Sequence, residues 1–140
     1  MYLRCLLLII YDTIVKRGDN MHLQESGEMY LETIYVLANR NKDVRSIDIA
    51  RELNYSKPSV SRAMSILKKD EYIDVDSKGY IVLTQKGLEV ASRIYDRHDT
   101  LSAFFESLGV SHETAVNDAC RIEHVISDET MQRIKDTMSK

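Results

Sequence analysis

The sequence predicts a mainly α fold with one small β-hairpin. Two observations carry that expectation. Apolar residues recur at helical spacing through most of the 140 residues, whereas residues 72–83 alternate or bunch in the manner of strands. The chain also has only five Gly and one Pro, too few turn residues for a many-stranded sandwich. Its length fits one ordinary domain or two small ones, and excludes a TIM barrel or a full dinucleotide-binding enzyme. A hydrophobic fraction of 44% and a charged fraction of 29% are globular values.

The elements follow in order. Met29, Tyr30, Ile34, Leu37 and Ala38 give a helix over 26–39, with Ser26 as its N-cap. After the polar turn 39–43, Ser46 is expected to cap a second helix, Ile47 to Leu53. Asn54-Tyr55 is a short break, and Ser56 caps a third helix that runs to about Lys69. Pro58 sits in its first turn, where a missing N–H costs nothing. Tyr72–Asp76, the turn Ser77-Lys78-Gly79 and Tyr80–Leu83 form a hairpin. Thr84 caps a helix carrying Leu88, Val90, Ala91 and Ile94 through Arg97-His98. Further helices are expected at about 99–107, 112–126 and 128–138.

Residues 1–20 stand apart. Cys5–Tyr11 behind Arg4 faintly resembles a signal peptide, but the apolar run is short and no small-x-small cleavage site follows. Lys16-Arg17-Gly18-Asp19-Asn20 can be encoded by a nearly unbroken purine run, placed before Met21 as a bacterial ribosome-binding site is placed before a start codon. Met21 is therefore read as the native start and residues 1–20 as a translated leader or N-terminal extension. The other reading is an ordinary N-terminal helix packed on the core. No run reaches the ~18 apolar residues of a membrane span. Two cysteines, Cys5 and Cys120, make no disulfide framework, which points to the reducing cytoplasm.

Helix, short turn, helix, then hairpin is the order of a winged helix-turn-helix, assigned to residues 21–84. The whole chain carries a net charge of −3, which at first argues against a nucleic-acid partner. Locally the sign reverses. Between Val44 and Lys69 six basic residues (Arg45, Arg51, Lys57, Arg62, Lys68, Lys69) face only Asp48 and Glu52, a net +4, with Lys78 added at the hairpin tip. Phosphate contacts need such local charge, not a basic whole protein. The third helix opens Ser56-Lys57-Pro58-Ser59-Val60-Ser61-Arg62. Its short hydroxyls let the backbone approach a groove, Ser56, Ser59 and Ser61 can donate to phosphates or base edges, and Arg62 can reach a guanine O6/N7 pair. The competing reading is a solvated helix of an unrelated α protein.

Residues 85–140 are assigned to a second, helical domain. Within it Cys120, Glu123 and His124 stand at i, i+3 and i+4, spacing that puts a thiolate, a carboxylate and an imidazole on one helix face. That donor set suits a borderline divalent transition metal rather than Ca²⁺ or Mg²⁺. Met29 and Glu32, one turn apart on the first helix, and His98 on the long helix are candidates for the remaining positions. A lone buried Cys or His is more often plain core. An enzyme is not expected. Cys120-x-x-Glu123-His124 has Cys where an H-x-x-E-H hydrolase has its first His, and His112-Glu113 is followed by Val116 where H-E-x-x-H needs its second.

Three stretches, Glu28–Tyr35, Ser56–Arg62 and Asp118–Glu129, closely resemble the diphtheria-toxin-repressor family of iron- and manganese-responsive transcriptional regulators, over residues 21–140. The resemblance implies an N-terminal winged helix, a C-terminal helical dimerisation domain and a metal site between them. It implies that Met29, Cys120, Glu123 and His124 form the primary site, as in the iron branch. Of that branch's ancillary ligands only His98 is present, with Ser102 and Val116 at the other positions. The manganese branch has carboxylates where this chain has Met29 and Cys120, but shares Glu32 and His98, which suggests a mixed second site. The SH3-like third domain of many iron-branch members is not expected. Fe²⁺ or Mn²⁺ is the implied cofactor, with Zn²⁺, Co²⁺ or Ni²⁺ able to substitute in vitro. The implied partners are operator DNA of metal-homeostasis genes and a second copy of the chain, with no membrane. The alternative is a winged-helix regulator that responds to a non-metal or redox signal through Cys120.

Overall fold

The computed structural model describes residues 21–41 and 43–140, and the side chains of 25–40 and 43–140. The proposed leader lies outside the described residues. These contain six helices and one two-stranded antiparallel sheet. The helices are α1 (Met21–Asn41), α2 (Ser46–Leu53), α3 (Lys57–Lys69), α4 (Gln85–Ser107), α5 (His112–Ile122) and α6 (Asp128–Met138); the strands are β1 (Ile73–Val75) and β2 (Ile81–Leu83). The mainly α expectation with a single hairpin holds. Two compact units divide within α4, after Ser92.

In the N-terminal unit α1 packs on α2, α3 and β2, α2 packs on α3, and α3 packs on β1. Ile34, Ile49, Leu53, Val60 and Leu67 form the buried interior. Helical spacing points Val60, Met64 and Leu67 inward and leaves Ser59, Ser61 and Arg62 on the exposed side of α3. Ile73 pairs with Leu83 and Val75 with Ile81 across the hairpin. Asp76 builds the tip: its Oδ1 accepts from the backbone N–H groups of Lys78 and Tyr80 at 2.8 and 2.9 Å, and Gly79 supplies the positive φ of +82°. The Ile81 N–H donates to Val44 O at 2.7 Å, so the hairpin is tied to the segment entering α2.

Four sequence expectations are corrected. α1 already runs through Met21–Glu25, residues with adequate helix propensity, so Ser26 is not its cap. α2 is capped at Arg45, not Ser46, because the Asp48 carboxylate reaches back to the Arg45 N–H at 2.8 Å. The stretches read as ending at Arg97-His98 and restarting at 99 are one helix of 23 residues, α4. α5 ends at Ile122 rather than 126, so Glu123 and His124 lie on the turn that leaves it. The caps at Ser56 and Thr84 are present, accepting from the N–H groups of Ser59 and Gly87 at 3.4 and 3.1 Å.

In the C-terminal unit Leu101, Ala119 and Met131 form a core, with Phe105, Ile122, Ile126 and Ile134 packed around it. Ser111 caps α5 and Ser127 caps α6. The three helices thus meet through one apolar seam, leaving the polar residues near the end of α5 to face α4.

Candidate metal centre and nucleic-acid interface

α4 carries His98, the end of α5 carries Cys120 and the turn after it Glu123, all three buried. One ligand atom from each lies within 4.8 Å of the others. Metal bonds to N, O and S of about 2.0–2.3 Å make that spacing compatible with a single ion after small adjustments. His98 Nδ1 stands 2.8 Å from Glu123 Oε2. Glu123 Oε1 lies 3.3 Å from His124 Nε2, and it accepts no hydrogen bond from any described residue although it is fully buried. A buried carboxylate oxygen without a donor is costly unless a cation compensates it, so this donor set fits a divalent metal. Cys120 is disulfide-bonded in this structure, against the expectation of reduced cysteines, so ligation through its sulfur requires reduction to the thiolate.

The surroundings are acid-rich. Burial raises the Asp99 carboxyl above its ordinary value, His98 opposes that shift, and Asp96 and Glu123 add to it. The spacing put Cys120, Glu123 and His124 on one helix face; in the structure only Cys120 lies on α5, and it is His98 that clusters with Cys120 and Glu123. Met29 and Glu32 belong to α1, in the other unit, and are buried there. Met29 Sδ accepts from the Tyr55 hydroxyl at 3.8 Å. Tyr55 also meets Tyr30 edge to face, with ring centroids 6.0 Å apart.

Sequence reasoning missed Arg97. It is buried beside His98 and donates to the carbonyl oxygens of Glu123 and Ile126, both at 3.0 Å, and pairs with the Asp128 carboxylate. The available signal was a cation inside a helix shortly before a predicted ligand. It is weak, because charged residues on helices are usually solvated.

On the N-terminal unit, Arg45, Ser56, Lys57, Pro58, Ser59, Ser61, Arg62 and Lys78 are all exposed. The two acids of the basic segment are otherwise engaged: Asp48 caps α2, and Glu52 pairs with Arg40 at 3.1 Å. The Arg45 guanidinium lies 4.7 Å from the centre of the Tyr80 ring, a cation–π contact that joins it to the hairpin. Tyr80 is a second residue that the sequence did not mark.

A winged helix with an exposed basic helix, followed by a helical unit with a buried cluster of residues that could hold a metal, has the make-up of a metal-dependent transcriptional repressor. Comparison with known proteins agrees. The family model for the iron dependent repressor N-terminal DNA binding domain matches residues 22–81, and that for the iron dependent repressor metal binding and dimerisation domain matches residues 84–140. The chain belongs to the iron-dependent repressor family. It is 35% identical over 120 residues to the uncharacterized HTH-type transcriptional regulator MJ0568 of Methanocaldococcus jannaschii, covering 84% of this chain and 96% of that one. The structure of the manganese regulator SloR matches with a TM-score of 0.71 and 27% identity, covering 81% of this chain and 53% of that one. The crystal structure of T. acidophilum IdeR matches with a TM-score of 0.71 and 26% identity, covering 81% and 54%. The chain thus spans about half the length of these solved relatives. Among the described residues no helix is long and apolar enough to cross a membrane.

Proposed function

We propose that Fe²⁺ or Mn²⁺ binds to Cys120, Glu123 and His124 together with Met29, that Glu32 and His98 extend this set to a second ion, and that the loaded homodimer represses metal-homeostasis genes from the cytoplasm. The DNA-binding domain in this reading is residues 21–84 and the metal-binding and dimerisation domain is residues 85–140. The single observation that carries the proposal is the buried convergence of His98, Cys120 and Glu123, in a chain whose excess of positive charge lies instead around the recognition helix. When bound, the metal supplies a multidentate link among donors on separate helices. The chain's own residues do the rest. Met29 and Glu32 stand on the helix that packs against α2 and α3, so a restraint on α1 reaches the recognition helix. Ser56, Ser59 and Ser61 approach the DNA backbone, Lys57, Arg45 and Lys78 contact phosphates, and Arg62 reads a base edge. A non-enzymatic role is supported by the two hydrolase-like motifs, each of which lacks a required ligand.

The test is calorimetric titration of the reduced full chain with Mn²⁺, and anaerobically with Fe²⁺. Saturable binding is expected, weakening as pH falls because the ligands must be deprotonated. Binding that survives Glu123→Ala unchanged contradicts the ligand set. A protein whose DNA affinity follows reductant and ignores metal is instead the redox regulator.

A further inference from the structure

Two consecutive residues of α4 grip Glu123 at both ends. His98 holds its carboxylate at 2.8 Å, and Arg97 holds its backbone carbonyl at 3.0 Å. The Arg97 guanidinium also donates to Ile126 O at 3.0 Å and reaches the Asp128 carboxylate at the start of α6. It therefore bridges both ends of the turn that joins α5 to α6. Arg97 is 9% exposed, so this charge has been taken out of water and set among fixed acceptors. Glu123 O belongs to the C-cap of α5, whose negative dipole end favours a cation, and Ile126 O to the turn beyond it. The turn's own bonds are Glu123 N–H to Ala119 O, and Val125 and Ile126 N–H to Ile122 O, at 2.9 to 3.0 Å.

We infer that Arg97 is a positioning residue for the metal centre: it fixes the turn 123–126 before any metal arrives, and so sets where the Glu123 carboxylate and the His124 ring stand. The inference rests on the proposed ligand set, and its physical basis is that partners behind the ligands orient them. Loss of such a partner typically weakens metal affinity about 10- to 100-fold. A planar fork with several donors is needed. Lysine keeps the charge but offers a point donor, so it cannot hold two carbonyls and a carboxylate in one geometry.

The experiment compares wild type, Arg97→Met and Arg97→Lys as reduced full chains, using Co²⁺ alone as probe. Two readouts are taken: cobalt affinity with its thiolate charge-transfer band, and amide hydrogen exchange of the metal-free protein. Arg97→Met is expected to weaken cobalt binding at least about tenfold, to alter the band, and to speed exchange at Glu123, Val125 and Ile126 while the core of α4 stays protected. Arg97→Lys is expected to fall between it and wild type, and serves alone if Arg97→Met does not fold. Affinity and exchange unchanged in the variant that folds overturn the role of Arg97 while leaving the ligand set standing. A wild type that shows no cobalt–thiolate band overturns the ligand set, and Arg97's role with it.

Discussion

At Glu123 two requirements meet, since a carboxylate sealed from water must be compensated and only Oε2, 2.8 Å from His98 Nδ1, is hydrogen-bonded, whereas Oε1 is not, although His124 Nε2 is 3.3 Å away. Glu123→Ala removes the demand and the ligand together. We expect it to fold, and to lose the metal-dependent gain in DNA affinity; a mobility shift with and without Mn²⁺ checks this, and retention of that gain contradicts the assignment. On the other unit the exposed residues divide by what they would touch in the proposed DNA complex. Arg62→Ala is expected to cost about 1–3 kcal/mol and to relax preference at one base position. Lys57→Ala is expected to weaken all sequences alike and to lower the salt slope of binding by about one. Binding isotherms at several salt concentrations, on specific and unrelated DNA, separate the two.

At the scale of elements, two glycines make opposite predictions. A Cβ on Gly87 would stand 2.0 Å from the Tyr72 carbonyl oxygen, whereas one on Gly27 meets only Leu67 Cδ2 at 3.9 Å. Gly87→Ala should therefore destabilise by about 1–3 kcal/mol by forcing α4 off the hairpin. Gly27→Ala, inside α1, should stabilise by about 0.5–1 kcal/mol. Urea unfolding midpoints read both. The α1–α2 region offers a pH signature. Burial, and then Tyr55, push the Tyr30 hydroxyl up from 10.0 to about 12. A raised value stabilises the fold fully below pH 10.0, and that stabilisation is lost as pH rises toward about 12. Ultraviolet titration should show late-ionising tyrosines and unfolding in that window; all tyrosines ionising together near pH 10 contradict it.

These elements also mark how far the sequence could be read. The helix-turn-helix and hairpin were legible because local signals agreed: Ser56 caps α3, apolar spacing faces its core, and Gly79 closes the turn. α4 was read as two pieces because Asp96 to Thr100 are five consecutive polar residues that interrupt its apolar pattern. The structure buries Arg97 and His98 there on partners far away in sequence. α5 was read too long because Ile122, Val125 and Ile126 continue its period. The turn at Glu123 is held by Arg97 across the C-terminal unit, which no local pattern encodes. The trio at 120, 123 and 124 was visible from spacing, while its meeting with His98 depends on tertiary packing.

For the whole molecule, the net charge of −3 averages unlike parts. Residues 44–69 carry +4, and residues 99–140 carry four basic against eight acidic side chains, a net −4. One part suits phosphates and the other a cation. Metal at about 100 times its dissociation constant favours the loaded state by at most ~2.7 kcal/mol per site, so two sites in a dimer can shift the balance by at most about 10⁴-fold, ample for a switch. A dimer should also set two recognition helices about one DNA turn apart. The most direct test incubates the reduced full chain with sheared genomic DNA of its host, with Mn²⁺ or with a chelator, and sequences the bound fragments. A two-fold symmetric motif, with half-sites about ten base pairs apart, is expected to be enriched only when metal is present. The same motif enriched equally in chelator would contradict it.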